Sequence, residues 1–77
     1  MTDYKLDKQD KATLKRYELH LKRATDGYVR GIYDSDLNNL EPIYNKFGQY
    51  LENRHCSACV LGMMQFLARM YEINKKS

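Results

Sequence analysis

Residues 55–73, HCSACVLGMMQFLARMYEI, limit what this chain can fold into more than any other stretch, because they form its densest apolar run. Apolar side chains recur there at steps of three and four, which places them on one stripe of a helix. The stripe consists of Cys56, Cys59, Val60, Met63, Leu67 and Met70, and it is widened by Leu61, Met64, Phe66 and Tyr71. A helix that is apolar around most of its circumference is typical of the centre of a bundle or of an oligomer interface.

The width of this stripe predicts a helix with more apolar surface than its own chain can cover. The chain has 77 residues, and a domain this short buries only about 60% of its unfolded surface, so its stability is marginal without a partner. Seven tyrosines favour the same view, because tyrosine is common at protein interfaces. We therefore predict a protein partner or an oligomer. The predicted interaction surface consists of Val60, Met63, Met64, Phe66, Leu67, Met70 and Tyr71.

Other classes of partner are less favoured. Gln65 and Arg69 interrupt the apolar run, which falls short of the roughly 18 apolar residues of a membrane span. The net charge of +3 permits nucleic-acid binding without requiring it. A helix-turn-helix needs a second helix whose exposed face reads base edges, and the second predicted helix offers mainly asparagine and glutamate there. A DNA-binding accessory protein is therefore kept only as an alternative.

Two further helices are predicted before the apolar one. Asp7 is the expected cap of the first, which ends before Gly27. Its buried face is predicted from 3-4-3 spacing as Leu14, Tyr17, Leu21 and Ala24. Residues 1–6 are predicted to be a flexible arm, and residues 27–33 a loop. A single strand in that loop would have no partner in the chain.

The second helix is predicted to begin at a Ser35 cap and to end before Gly48. Its apolar face is expected to consist of Leu37, Leu40, Tyr44 and Phe47. Pro42 predicts either a kink or a separate first turn, because proline lacks an amide donor and clashes with the preceding turn. The fold class is therefore all-α: residues 1–77 form one small bundle of about three helices, with the third at the centre. Gly62 lies inside that third helix and predicts the close approach of another backbone.

Cys56 and Cys59 form a C-x-x-C motif at the start of the third helix. The motif resembles the thioredoxin type, in which a helix dipole lowers a thiol pKa, but the strands of that setting are missing. Zinc would need more ligands, such as His20 and a carboxylate, or a second chain. Free cysteines most often fill tight helix crossings as small hydrophobes. We predict that last role, with no metal and no cofactor, and keep a zinc- or redox-dependent module as the alternative.

No set of catalytic residues stands at an interpretable spacing. His55 and Cys56 are neighbours, and neighbours on a helix point about 100° apart, so they do not form a dyad. The polar first residues of mixed charge predict no secretory signal, and two cysteines in such a chain favour a reducing compartment without a structural disulfide. We therefore expect a protein that is not an enzyme.

Residues 37–76 resemble small helical proteins encoded by tailed bacteriophages and by related mobile elements of Bacteroides-type bacteria. The resemblance runs through LNNLEPIYNKFGQ, CSACVLGMMQFL and the lysine-rich end, with Tyr44, Gly48, Cys56 and Cys59 as its anchors. It implies a virion component, an assembly accessory or an inhibitor of a host protein, located in the host cytoplasm or the virion. It implies no activity and no role for any residue.

Overall fold

The computed structural model describes residues 6–29 and 31–76, with side chains up to residue 74. The described residues form four helices: α1 (Lys8–Arg16), α2 (Glu18–Thr25), α3 (Asp34–Lys46) and α4 (Ser57–Lys76). The all-α prediction is confirmed, whereas the predicted count of about three is too low by one. The extra helix arises because the first predicted helix is broken in two.

The break lies at Tyr17, where the backbone adopts φ −104° and ψ 15°. The Tyr17 N–H donates to the carbonyl of Leu14 at 3.0 Å, a tighter closure than an α-helical turn. The Tyr17 side chain is buried, and its hydroxyl donates to Asp36 Oδ1 of α3 at 2.8 Å. This contact with α3 accompanies the break, and the two pieces pack differently. α2 packs mainly against α4, while α1 contacts its three companions.

Polar side chains fix the start of α1 and the end of α3. Asp7 is the predicted cap, and its Oδ1 accepts from the N–H of Asp10 at 2.7 Å. The Asp10 carboxylate is itself buried and accepts from Lys46 Nζ at 3.2 and 3.1 Å. Lys46 lies in the last turn of α3, where a positive charge also suits the helix dipole. This ion pair therefore holds α1 against α3.

The predicted cap of the second helix is wrong by two residues. α3 begins after Tyr33 instead of Ser35, because the carboxylate of Asp36 reaches back and accepts from the Tyr33 N–H at 3.0 Å. One helix runs through Pro42, so the prediction of a separate first turn is also wrong. Pro42 is exposed, which keeps its ring out of the core.

Side chains from all four helices form one core. Its buried apolar members are Leu6, Leu14, Tyr17, Leu21, Ala24, Leu37, Leu40, Ile43, Phe47, Val60, Met63, Met64, Leu67, Ala68 and Tyr71. The buried faces predicted for the first two helices are confirmed, except that Tyr44 is only partly buried. Leu6 was assigned to the flexible arm, but it is buried and its N–H donates to Asn74 Oδ1 at 3.2 Å. Residues 1–5 of that arm lie outside the described residues.

The prediction that α4 keeps a large apolar surface uncovered is corrected by the structure. Of the predicted interaction residues, Val60, Met63, Met64, Leu67 and Tyr71 are buried, and Phe66 and Met70 are partly buried against the core. Among the described side chains of α4, only Ile73 is a large hydrophobic residue that stays exposed. The helix is covered because Val29, Ile32 and Leu51, in the connections, pack on the core as well. Gly62 has no other backbone nearby, since a Cβ there would meet nothing within 4 Å.

Candidate functional site at the N-terminal end of α4

Two connections meet where α4 begins. The α2–α3 connection turns at Gly27 and Gly31, whose φ values of 85° and 70° suit glycine. Gly27 ends α2 as predicted, because its N–H donates to the carbonyl of Ala24 at 2.9 Å. In the α3–α4 connection, Arg54 Nη2 donates to Glu41 Oε1 at 2.8 Å and to Asn38 Oδ1 at 2.9 Å. Arg54 thereby fastens this connection to α3.

Two surface cavities lie between these connections and the first turns of α4. One has a volume of about 310 Å³ and is lined by Gly27, Tyr28, Val29, Ser57, Ala58 and Leu61. The other has a volume of about 170 Å³ and is lined by Val29, Gly31, Ile32, Arg54, His55, Ser57 and Val60. Val29 and Ser57 take part in both, so the cavities are neighbours. Each is open to solvent and modest for a small-molecule site.

Three of the most exposed hydrophobic side chains belong to these same connections. Tyr28 is 52% exposed, Tyr33 is 71% exposed and Tyr50 is 74% exposed. Tyr28 lines the larger cavity, and Tyr50 lies in the connection that supplies Arg54 and His55 to the smaller one. The sequence analysis placed Tyr28 and Tyr33 in the predicted loop of residues 27–33 and counted Tyr50 among the seven tyrosines, but it assigned none of the three to the interaction surface.

Cys56 occupies the capping position of α4. Its carbonyl accepts the first helical bond, from the N–H of Val60 at 3.0 Å, and its Sγ accepts from the N–H of Cys59 at 3.3 Å. Those two bonds define a side-chain N-cap. Helix N-caps are usually oxygen-bearing residues, and Asn53 and Ser57 are the nearest such residues here. Asn53 Oδ1 instead accepts from the N–H of His55 at 2.8 Å. The thiol therefore satisfies a helix donor that a hydroxyl or carboxylate usually satisfies.

The two thiols differ in their acidity. A hydrogen bond from the Cys59 thiol, followed by the backbone N–H of Cys59, lowers the pKa of Cys56 below its ordinary value. The same thiol–thiol bond, with partial burial and the negative charges of Cys56 and Glu52, raises the pKa of Cys59. Neither residue belongs to the buried core, and both are partly exposed. The predicted role as small buried hydrophobes at a helix crossing is therefore not what the structure shows.

His20 does not join the cysteines. Within residues 6–29 and 31–74, no three side chains of histidine, cysteine, aspartate or glutamate gather closely enough to hold a metal ion. His20 stacks edge-on against Tyr17, with ring centroids 6.0 Å apart, and lies beside Gly31. Its Nδ1 is buried and has no hydrogen-bond partner among the described residues. The intramolecular zinc ligands considered from sequence are thus not brought together.

A second polar cluster, missed by sequence reasoning, joins α3 to the break between α1 and α2. Asn39 Nδ2 donates to the Tyr17 hydroxyl at 3.2 Å, and that hydroxyl donates to Asp36. The Tyr33 N–H and the Tyr17 hydroxyl lower the pKa of Asp36, helped by the nearby positive charges of His20 and Arg16. Each polar atom of the cluster serves helix capping or helix packing.

No family model, curated protein or solved structure matches this chain. Among the residues that the structure describes, no helix is both long enough and apolar enough to cross a membrane.

Proposed function

We propose that this chain is a non-enzymatic protein–protein interaction module that binds its partner through the tyrosine-bearing connections at the N-terminal end of α4. The observation that carries the proposal is the exposure of Tyr28, Tyr33 and Tyr50, each more than half exposed. Tyrosine buries a large ring at little conformational cost and keeps its hydroxyl hydrated, which makes it a preferred residue at the centre of interfaces.

Because the apolar face of α4 is buried, the tyrosine-bearing connections are a better candidate binding surface than the helix itself. Met63, Met64 and Leu67 are completely buried, so a partner could reach them only if the core opened. The connections offer contact area without such opening, and loops on a rigid helical frame commonly carry binding residues. The partner we propose is a protein in a phage setting, as the resemblance implies: another copy, a virion protein or a host protein that the chain inhibits.

The test uses the full chain with Tyr28→Ser, Tyr33→Ser and Tyr50→Ser combined. The matched control is Leu19→Ser with Ile73→Ser, which removes two side chains that are 57% and 56% exposed on helices. Light scattering over a range of concentrations measures self-association. Capture from native lysate, with mass spectrometry and then a purified candidate partner, measures binding to another protein.

We expect the triple variant to lose a complex that the wild-type and control chains form, with an affinity loss of at least about tenfold, since a hot-spot tyrosine is worth about 2 kcal/mol. Circular dichroism must show equal helicity in all three proteins. A wild-type chain that stays monomeric at high concentration, and whose captured proteins also bind the triple variant, would overturn the proposal.

A further inference from the structure

The C-x-x-C motif places two sulfur atoms on one side of the first turn of α4. Cys56 lies just outside the helix at the capping position, and Cys59 is three residues on, inside the first turn. The Cys56 Sγ accepts from the backbone N–H of Cys59 at 3.3 Å, so this sulfur lies over the turn that carries Cys59. Residues three apart at a helix start fall within the Cα separation of about 4.4–6.8 Å that disulfides span.

Apart from the capping bond of Cys56, the described residues show no structural role for this pair. Neither sulfur fills the core, since the described core cluster contains no cysteine. No third metal-ligating side chain stands beside them within the described residues. Both thiols are partly exposed, so a reactant in solvent can reach them.

We propose that Cys56 and Cys59 are a reversible dithiol–disulfide pair that exchanges with the disulfide of another molecule, with Cys56 as the thiol that reacts first. The Cys56 thiolate attacks one sulfur of a disulfide RSSR, forming a mixed disulfide and releasing one RS⁻. Cys59 then loses its proton and attacks the Cys56 sulfur, which closes the internal disulfide and releases the second RS⁻. The protein dithiol gives up two electrons and two protons, and RSSR becomes two RSH.

The capping geometry of the pair supports this order of attack. The thiolate is the nucleophile in thiol–disulfide exchange, and the Cys56 Sγ accepts the backbone N–H of Cys59 at 3.3 Å at the N-terminal end of α4, which stabilises a thiolate there and lowers the pKa of Cys56. Cys59 keeps its proton longer, which suits the thiol that resolves the mixed disulfide. Closing the bond leaves the Val60–Cys56 backbone bond of α4 intact, because that bond uses the Cys56 carbonyl and not the sulfur.

The first experiment titrates the reduced full-length chain with mixtures of oxidised and reduced glutathione. Rapid alkylation of the remaining thiols and intact-mass spectrometry then count the free cysteines. We expect one two-electron transition, in which both cysteines become resistant to alkylation together and the chain carries no glutathione at equilibrium. Stable glutathione adducts on both cysteines, disulfide-linked dimers alone, or a dithiol that survives pure oxidised glutathione would each overturn the proposal.

The second experiment assigns the order with Cys59→Ser and Cys56→Ser. Cys59→Ser is expected to stop at a mixed disulfide with one glutathione on Cys56. Cys56→Ser should react with the same disulfide at least about tenfold more slowly at neutral pH, because Cys59 lies inside the first turn and lacks the capping bond from a backbone N–H that stabilises a thiolate at Cys56. Equal rates in the two variants, or faster reaction of Cys56→Ser, would contradict the assignment. Serine at position 56 can still cap the helix, and Cys59→Ser leaves the backbone N–H of residue 59 in place; if either variant unfolds, the wild-type titration still decides whether the disulfide forms.

Discussion

The two ends of α4 lie in different surroundings. From Met63 to Tyr71 the inner face of the helix is buried against its neighbours, and two of its polar side chains bond to α2: Gln65 Nε2 donates to the Ala24 carbonyl at 2.9 Å, and the Tyr71 hydroxyl donates to Glu18 Oε2 at 3.0 Å. At residues 56–61 the neighbours are connections, the thiols are partly exposed and two cavities open to solvent. One helix thus combines a part that stabilises the fold with a part that remains accessible for contacts and chemistry.

The sharpest test of this division is Leu67→Ala. Leu67 is completely buried, and removing such a side chain leaves a cavity as well as losing apolar burial, so we expect the free energy of unfolding to fall by about 2–5 kcal/mol. Urea denaturation followed by circular dichroism measures it. Ile73→Ala, on the same helix but 56% exposed, should lower stability by less than about 0.5 kcal/mol. Equal losses would show that the division of α4 is wrong.

Tyr71→Phe tests the hydrogen bond at the enclosed end. Losing the bond to Glu18 should lower the free energy of unfolding by about 1 kcal/mol at neutral pH. Burial and the Glu18 carboxylate raise the pKa of Tyr71 in the folded protein. Its stabilising contribution is therefore complete below the unfolded pKa of about 10 and is lost as the pH rises through the folded pKa. The stability difference between wild type and Tyr71→Phe should therefore shrink as the pH rises above about 10; a constant difference would contradict this.

Gly62→Ala examines the outer surface of the accessible end. Because a Cβ at Gly62 meets nothing within 4 Å, alanine should raise the free energy of unfolding by about 0.5–1 kcal/mol through its better helix propensity. Gly27→Ala is the control with the opposite sign, since its φ of 85° is unfavourable for alanine. If Gly62→Ala destabilises the protein, another molecule must pack there in solution, and thermal melts at two concentrations would reveal it.

The smallest effect is expected at the cap. Cys56→Ala removes the acceptor for the Cys59 N–H and should lower stability by about 0.5 kcal/mol, since sulfur is a weaker acceptor than oxygen. Cys56→Ser keeps a side-chain acceptor and should match or exceed the wild-type stability. Denaturation must be done under reducing conditions so that no disulfide contributes. A large loss of stability in both variants would mean that Cys56 supports the core. The two ends of α4 would then not differ as described.

Apolar spacing and helix-ending glycines in the sequence predicted those features of the helices that depend on neighbouring residues. The buried faces of Leu14, Leu21 and Leu40 follow from 3-4-3 spacing, and Gly27 and Gly48 end their helices because both adopt positive φ, 85° and 78°. The core residues of α4 were likewise identified as apolar, although their exposure was overestimated. Part of the cover over the core comes from Val29, Ile32 and Leu51, which lie in connections, where no period marks them.

The features that sequence reasoning missed depend on contacts between distant residues. The break at Tyr17 has no glycine or proline to signal it and is accompanied by a hydrogen bond to Asp36 in another helix. Leu6 stands alone among polar residues, and its backbone N–H donates to the side chain of Asn74, which is 68 positions away. The motif at Cys56 and Cys59 was visible in the sequence, but its exposure and the direction of its hydrogen bonds required the folded chain.

The bond between the Leu6 N–H and Asn74 Oδ1 brings the first and last described side chains together at one pole of the molecule. Asn74 is about 26 Å along the axis of α4 from Ser57, from the rise of about 1.5 Å per residue. A fluorophore or fusion protein attached near either residue would therefore project from the pole opposite the thiols. A short linker between residues 6 and 74 would also suffice to join the two ends in a circular permutant of this fold.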